Sequence, residues 1–166
     1  MLIPKCSALI ERCGRLSDGW LPSLCTPEEA AAGRVVIEKA AAEAGRSISG
    51  EHFGMSIGYA REPLDPATAR TMAARRPRAV ELTPVGLPAL RQLLERFIAV
   101  GFSKFVVRPV VPPRTWRVEL EALAGAAGVV ARRAADPGVG GGRPPDLSRR
   151  LLVAPISRRA RAWESA

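Results

Sequence analysis

Residues 86–110 read GLPALRQLLERFIAVGFSKFVVRPV, and this stretch decides the fold class. Its first half carries apolar residues at spacings of three and four, the period of an amphipathic helix: Leu87, Leu90, Leu93, Leu94, Phe97 and Ile98. Gly101 ends this run, and residues 102–108 then predict a strand that stops at Pro109. A helix, a glycine and a strand in this order form one unit of an α/β fold.

A second helix is predicted from residues 26–46, TPEEAAAGRVVIEKAAAEAGR. Thr26 and Glu29 have the spacing of a capping box, and Pro27 suits the first helical position. We expect the helix to cover residues 27–44, because Gly45 can end it in a left-handed conformation.

The remaining elements complete an α/β order. Upstream, a helix over residues 7–16 and a short strand at residues 18–22 are predicted. In residues 52–59, HFGMSIGY, bulky and small side chains alternate at the strand period of two. A short helix at residues 66–74 and the start of a last helix at residues 116–124 follow.

The chain divides into two parts by composition. Residues 1–125 form the predicted folded domain, and residues 126–166 form an Arg/Gly/Pro-rich tail, predicted to be disordered from residue 131 onward. Within the tail only residues 151–156 have the character of a strand.

The net charge of +9 raises the question of nucleic-acid binding. Residues 131–166 hold eight arginines against Asp136, Asp146 and Glu164, so much of the excess belongs to the tail. Among the 25 basic residues only three are lysine, a bias that GC-rich coding also produces. Nucleic acid is therefore the least favoured partner, because no aromatic residue interleaves the tail arginines before Trp163.

Other site classes find little support in the sequence. The three cysteines, Cys6, Cys13 and Cys25, form no CxxC pair, and His52 is the only histidine, so neither a metal site nor a disulfide framework is predicted. His52 precedes a strand and therefore lies away from the carboxyl ends of the strands, where α/β folds place their chemistry; Tyr59, at the other end of the same strand, is the better lining candidate. The charged N-terminus and the lack of a long apolar run predict a cytoplasmic protein without a membrane span.

Three segments resemble the C-terminal part of the luciferase-like monooxygenase superfamily. Residues 12–23, RCGRLSDGWLPS, are similar to the family text GRLGDGW, and residues 26–46 are similar to the helix that follows it. Residues 93–110, LLERFIAVGFSKFVVRPV, are similar to the last helix and eighth strand of the family. The resemblance implies a partial TIM (β/α)8 barrel, comprising about the last three β/α units.

The resemblance also implies a function. Members are oxidoreductases that bind a deazaflavin coenzyme or FMN across the carboxyl ends of the barrel strands, for hydride transfer or monooxygenation. The cofactor-binding positions that it implies are Trp20, Ser23 and Arg108. The alternatives are a barrel-core role for Trp20 and a solvated or ion-paired role for Arg108. No residue is predicted to be catalytic.

The sequence departs from the family at both ends. The family's Gly-Gly turn falls at Pro4-Lys5, Cys6 replaces a serine, and the first five strands of a complete barrel would precede Met1. Three strands do not close a barrel, so another chain or segment would have to complete it. The alternative is a non-catalytic gene remnant, with a tail of frameshift origin, or an interaction module.

Overall fold

The computed structural model describes residues 7–134 and 151–153, with side-chain surroundings for residues 8–126. It combines helices with parallel strands, which confirms the predicted α/β class. In chain order they are α1 (Ser7–Leu16), α2 (Pro27–Glu43), a 3-10 helix (Gly50–His52), β1 (Gly54–Tyr59), α3 (Pro66–Arg75), α4 (Leu87–Ala99), β2 (Lys104–Pro109), α5 (Trp116–Ala134) and β3 (Leu151–Val153).

The strands form a parallel sheet in the order β1-β2-β3. The segment predicted as the first strand, residues 18–22, forms isolated parallel bridges instead of a regular strand: Trp20 pairs with Phe53, just before β1, and Ser23, just after the segment, pairs with Ser56 of β1. Parallel pairing without hairpins requires helical crossovers, which α3 and α4 provide between β1 and β2. A closed barrel is not shown by these strands.

The core lies on one face of this sheet. Alternate residues of β1 and β2 point to that face and meet side chains of α2, α4 and α5. The fully buried members with the largest side chains are Tyr59, Phe53, Phe97, Phe102, Ile37, Leu90, Leu123 and Val107. We call this the covered face, and the face that carries Ser23, Ser56, Gly58, Val106 and Arg108 the open face.

The first turn of α2 forms as its sequence predicts. The Thr26 side chain accepts a hydrogen bond from the Glu29 amide (3.2 Å), and the Glu29 carboxylate accepts one from the Thr26 amide (2.9 Å). This capping box satisfies two amides that the helix itself leaves unpaired. Glu29 also forms an ion pair with Arg78 (2.9 Å), which ties the start of α2 to the connection before α4.

Two close approaches require glycine. A Cβ atom on Gly14 would lie 2.3 Å from the carbonyl oxygen of Ile37, so α1 contacts the α2 backbone directly. Gly101 has a φ of 90° and lies under Arg34, whose Nη1 donates a hydrogen bond to the Gly101 carbonyl oxygen (2.6 Å). Arg34 therefore joins α2 to the turn between α4 and β2.

The long connection after β1 contains the predicted short helix, α3, which begins after the side-chain cap Asp65. Asp65 Oδ1 accepts hydrogen bonds from the amides of Ala67 and Thr68. After α3, an isolated parallel bridge between Ala60 and Val85 returns the chain to the end of β1. This path brings the end of α3 near the carboxyl ends of the strands, where Met72, Arg75 and Arg76 line a cleft together with Arg108.

The structure also describes part of the C-terminal region. The last helix, whose start was predicted at residues 116–124, runs from Trp116 to Ala134, and its alanine-rich later turns favour helix even without apolar periodicity. β3 lies within residues 151–156, the part of the tail predicted to have the character of a strand, and pairs with β2 in parallel. Residues 1–6, which include Cys6, and the remaining tail lie outside the described residues. No helix in the described part of the chain has the length and apolar character needed to cross a membrane.

Candidate functional site

A cleft of about 400 Å³ lies beyond the carboxyl ends of β1 and β2, on the open face and beneath α3. Its walls come from three places in the chain: the turn after Trp20, the two strands, and the α3 region. The lining residues are Ser23, Leu24, Ser56, Gly58, Met72, Arg75, Arg76, Ala79, Thr83, Arg108, Pro109 and Val110. Ligands of parallel α/β folds bind at this end of the strands.

Hydroxyl groups and a guanidinium meet at the floor of the cleft. Ser23 pairs with Ser56 across the sheet, and Ser56 lies two residues before Gly58, which is the register partner of Arg108. Arg108 Nη2 donates a hydrogen bond to Ser56 Oγ (3.3 Å). Two of the three residues predicted to bind cofactor, Ser23 and Arg108, are thus brought to one cleft.

The third, Trp20, lies elsewhere. Residues three apart in an extended segment point to opposite faces, so Trp20 projects to the covered face while Ser23 projects to the open one. The Trp20 ring covers Gly33 of α2, where a Cβ atom would lie 2.5 Å from the ring. Its centroid is 6.0 Å from that of Phe102. The structure therefore places Trp20 in the helix packing, apart from the cleft.

The cleft wall opposite Arg108 carries two further arginines, Arg75 and Arg76, at the end of α3. The sequence prediction missed both, because residues 61–85 were interpreted as a surface connection. A usable signal was present: the pair follows a helix in the loop after a parallel strand, the position from which α/β folds take ligand contacts.

Leu24, next to Ser23, has a φ of 54°, the left-handed region that a leucine rarely adopts. Backbone strain of this kind costs on the order of 1–3 kcal/mol and concentrates at ligand sites. The strained turn follows Ser23, which pairs with Ser56 and lines the cleft.

A second cleft, of about 520 Å³, lies between the turn after β1 and the start of α5. Beside it the Tyr59 hydroxyl donates a hydrogen bond to Glu119 of α5, and Arg61 lies 3.9 Å from the same carboxylate. Burial and the bond to Glu119 raise the pKa of Tyr59 well above its usual range. Tyr59, predicted as a lining residue, is fully buried on the covered face and joins β1 to α5.

His52 and Cys25, the remaining candidate residues, make contacts within the fold. His52 lies before β1, at the opposite end of the strand from the cleft, as predicted, and its Nδ1 is 2.6 Å from the Asp18 carbonyl oxygen. Burial, followed by the charge of Glu29, raises the pKa of Cys25 to about 11, so its thiol is protonated at neutral pH. Among the described residues no group of His, Cys, Asp and Glu is arranged to hold a metal ion.

The chemistry that the first cleft offers is therefore recognition of negative charge and of hydroxyl-bonding groups. Arginine guanidinium groups form paired hydrogen bonds to phosphate or carboxylate oxygens, and serine hydroxyls donate or accept beside them. None of the lining residues carries a negative charge or a thiol. Neither a scan against protein-family models nor a search of curated proteins found a match to this chain.

Proposed function

We propose that this chain contributes the closing strands of a luciferase-like oxidoreductase barrel that binds a flavin-type cofactor, FMN or a deazaflavin coenzyme, in the first cleft. The observation that carries the proposal is the position of that cleft, beyond the carboxyl ends of parallel strands, with Ser23, Ser56 and Arg108 on its floor. Active sites of (β/α)8 barrels are built at this end of the strands.

The arrangement of the faces supports the proposal. In a barrel one face of each strand packs on the outer helices and the other faces the interior. Here the covered face packs on α2, α4 and α5, which leaves the open face as the interior one. Under this proposal residues 20–23, β1 and β2 are the sixth to eighth strands, β3 occupies the place of the first strand beside β2, and the remaining strands come from another segment or a partner chain.

The cleft residues fit the cofactor class. Arg108 would bind a phosphate or another anionic group, and Ser23 and Ser56 would donate hydrogen bonds beside it. Gly58 keeps the strand surface low, so a planar ring can approach the backbone. The cofactor, when bound, supplies the hydride or oxygen chemistry, while the protein binds and orients it. Trp20 supports this floor from behind by packing on α2.

Titration of the full chain with FMN and with a deazaflavin coenzyme, followed by absorbance and fluorescence, tests the proposal. Binding should shift the cofactor spectrum, and Arg108→Ala should weaken it by about tenfold, the factor that one lost charge-assisted contact of 1.4 kcal/mol produces. Arg114→Ala is the matched control, because Arg114 is exposed and lies outside this cleft. A chain that leaves both spectra unchanged would overturn the proposal.

The second candidate function is that of a non-catalytic interaction module. The observation in its favour is Leu21, which is 54% exposed on the open face of the bridging segment. Sheet edges with exposed apolar side chains associate with other chains. Light scattering and a thermal melt separate the candidates. A monodisperse monomer with a cooperative melt would argue against association through this edge.

A further inference from the structure

The arginines of the first cleft differ from most others in the described chain, because no carboxylate neutralises them. Arg75, Arg76 and Arg108 take part in no ion pair with a described residue. In contrast, eight other described arginines have a carboxylate within 4.0 Å: Arg15, Arg34, Arg46, Arg61, Arg78, Arg91, Arg96 and Arg117.

These three arginines also line one cleft. Arg75 and Arg76 come from the end of α3, whereas Arg108 comes from β2. Because all three side chains are exposed, water and salt screen the repulsion between them, and an anion in the cleft would be attracted to all three.

We propose that this cleft binds a phosphate ester, held by Arg75 and Arg76 on the α3 side and by Arg108, Ser23 and Ser56 on the sheet side. The proposal rests on the proposed function in using the same cleft, but it does not require the ligand to be a flavin. A single guanidinium satisfies a carboxylate through its two oxygens. A phosphate monoester, with three terminal oxygens and close to two negative charges, matches three guanidinium groups and two hydroxyls.

Phosphate binding in this cleft should also affect α3. Because α3 lies in the connection between β1 and α4 and its end lines the cleft, the ligand's phosphate bridges this helix and the sheet. Phosphate binding should then hold α3 in place and protect residues 66–76 from exchange with solvent.

The experiment compares three probes on the full chain by calorimetric titration: FMN, riboflavin and phenyl phosphate. Riboflavin has the ring without the phosphate, and phenyl phosphate has the phosphate without the flavin ring. The test variant is R75A/R76A. Its control is Arg70→Ala, because Arg70 is an exposed arginine of α3 that forms no ion pair with a described residue and does not line this cleft.

FMN should bind more tightly than riboflavin, and R75A/R76A should weaken FMN and phenyl phosphate by about tenfold or more while Arg70→Ala leaves both unchanged. Hydrogen exchange should slow in α3 of the wild type on binding. Equal binding of FMN and riboflavin, with no effect of R75A/R76A, would overturn this inference and leave the flavin proposal standing. Binding of phenyl phosphate that depends on the two arginines, without binding of either flavin, would support this inference and overturn the flavin proposal. No binding of any probe would overturn both.

Discussion

The two faces of one short sheet differ in almost every property. On the covered face Met55, Ile57 and Val107 are at most 3% exposed and belong to a single hydrophobic core. On the open face, one residue away along the same strands, Ser56 and Gly58 are only partly buried and Arg108 is exposed. The same backbone hydrogen bonds hold both faces, so their difference lies in side chains alone. Stability is therefore concentrated on one face, and the other is free to carry a binding site.

The strongest test of this difference between the two faces is to truncate two consecutive side chains of β2. Phe105→Ala removes a core ring that is 4% exposed and should lower the free energy of unfolding by about 3–5 kcal/mol. Val106→Ala, on the open face, should cost about 1 kcal/mol or less, because its side chain is already partly in water. Urea unfolding of both variants measures the difference. Equal losses would mean that the open face is packed as tightly as the covered one.

The second test concerns the polar link within the covered face. Tyr59→Phe leaves the buried Glu119 carboxylate without its phenol donor, and we expect a loss of about 1–3 kcal/mol, measured by urea unfolding at neutral pH. Glu121→Gln is the control, since Glu121 is an exposed glutamate of the same helix and, among the described residues, its ion-pair partner is Arg117. A loss no larger than that of Glu121→Gln would contradict a stabilising Tyr59–Glu119 bond.

Tyr59 also predicts a pH dependence. Its pKa is raised in the folded protein, so its contribution to the free energy of unfolding is fully present below the unfolded pKa of 10.0 and is lost as pH rises above that value. The raised pKa of Cys25 acts in the same direction from about pH 9 upward, and it is present in both the wild type and Tyr59→Phe. The wild type should therefore lose stability more steeply than Tyr59→Phe above pH 10. Parallel stability curves would show that Tyr59 does not titrate differently in the two states.

The covered face shows how far local signals reach. Thr26, Glu29 and the spacing of Leu90, Leu94 and Phe97 predicted the two main helices to within one or two residues, because caps and periodicity are encoded within a few positions. For the helix that ends at Ala134 only the start was predicted, at residues 116–124, since nothing periodic marks its last turns.

The open face was less predictable, because its contacts join distant parts of the chain. Arg108 meets Ser56 only after β1 and β2 pair, and Arg75 reaches the cleft only because the connection folds back over the strands. Ser23 and Arg108 were predicted as cofactor ligands through a family resemblance rather than from local pattern. Trp20 was predicted beside Ser23, but the two-residue period of an extended segment places it on the other face.

A third test uses the close contact between α1 and α2, which cover the sheet from outside. Gly14→Ala gains about 1 kcal/mol of helix propensity. Its Cβ atom would lie 2.3 Å from a backbone oxygen of α2, which cannot rotate away, and overpacking costs about 1–3 kcal/mol. The net expectation is a loss of about 1 kcal/mol in thermal or urea unfolding. A stabilised variant would show that α1 can move without disturbing the core.

The smallest expected effect belongs to the corresponding change on the open face. Gly58→Ala places a Cβ atom 2.9 Å from Val110 Cγ1, the end of a side chain that can rotate, in contrast to the fixed backbone beside Gly14. Alanine also restricts the unfolded chain more than glycine does, so stability should stay within about 0.5 kcal/mol of the wild type. Gly58 lines the first cleft, however, and under the proposed function the added methyl group should weaken binding of FMN while the fold is kept. A loss of stability comparable to that of Gly14→Ala, with unchanged FMN binding, would mean that Gly58 serves packing. The open face would then contribute to stability as the covered face does, and the contrast between the two faces would not hold at Gly58.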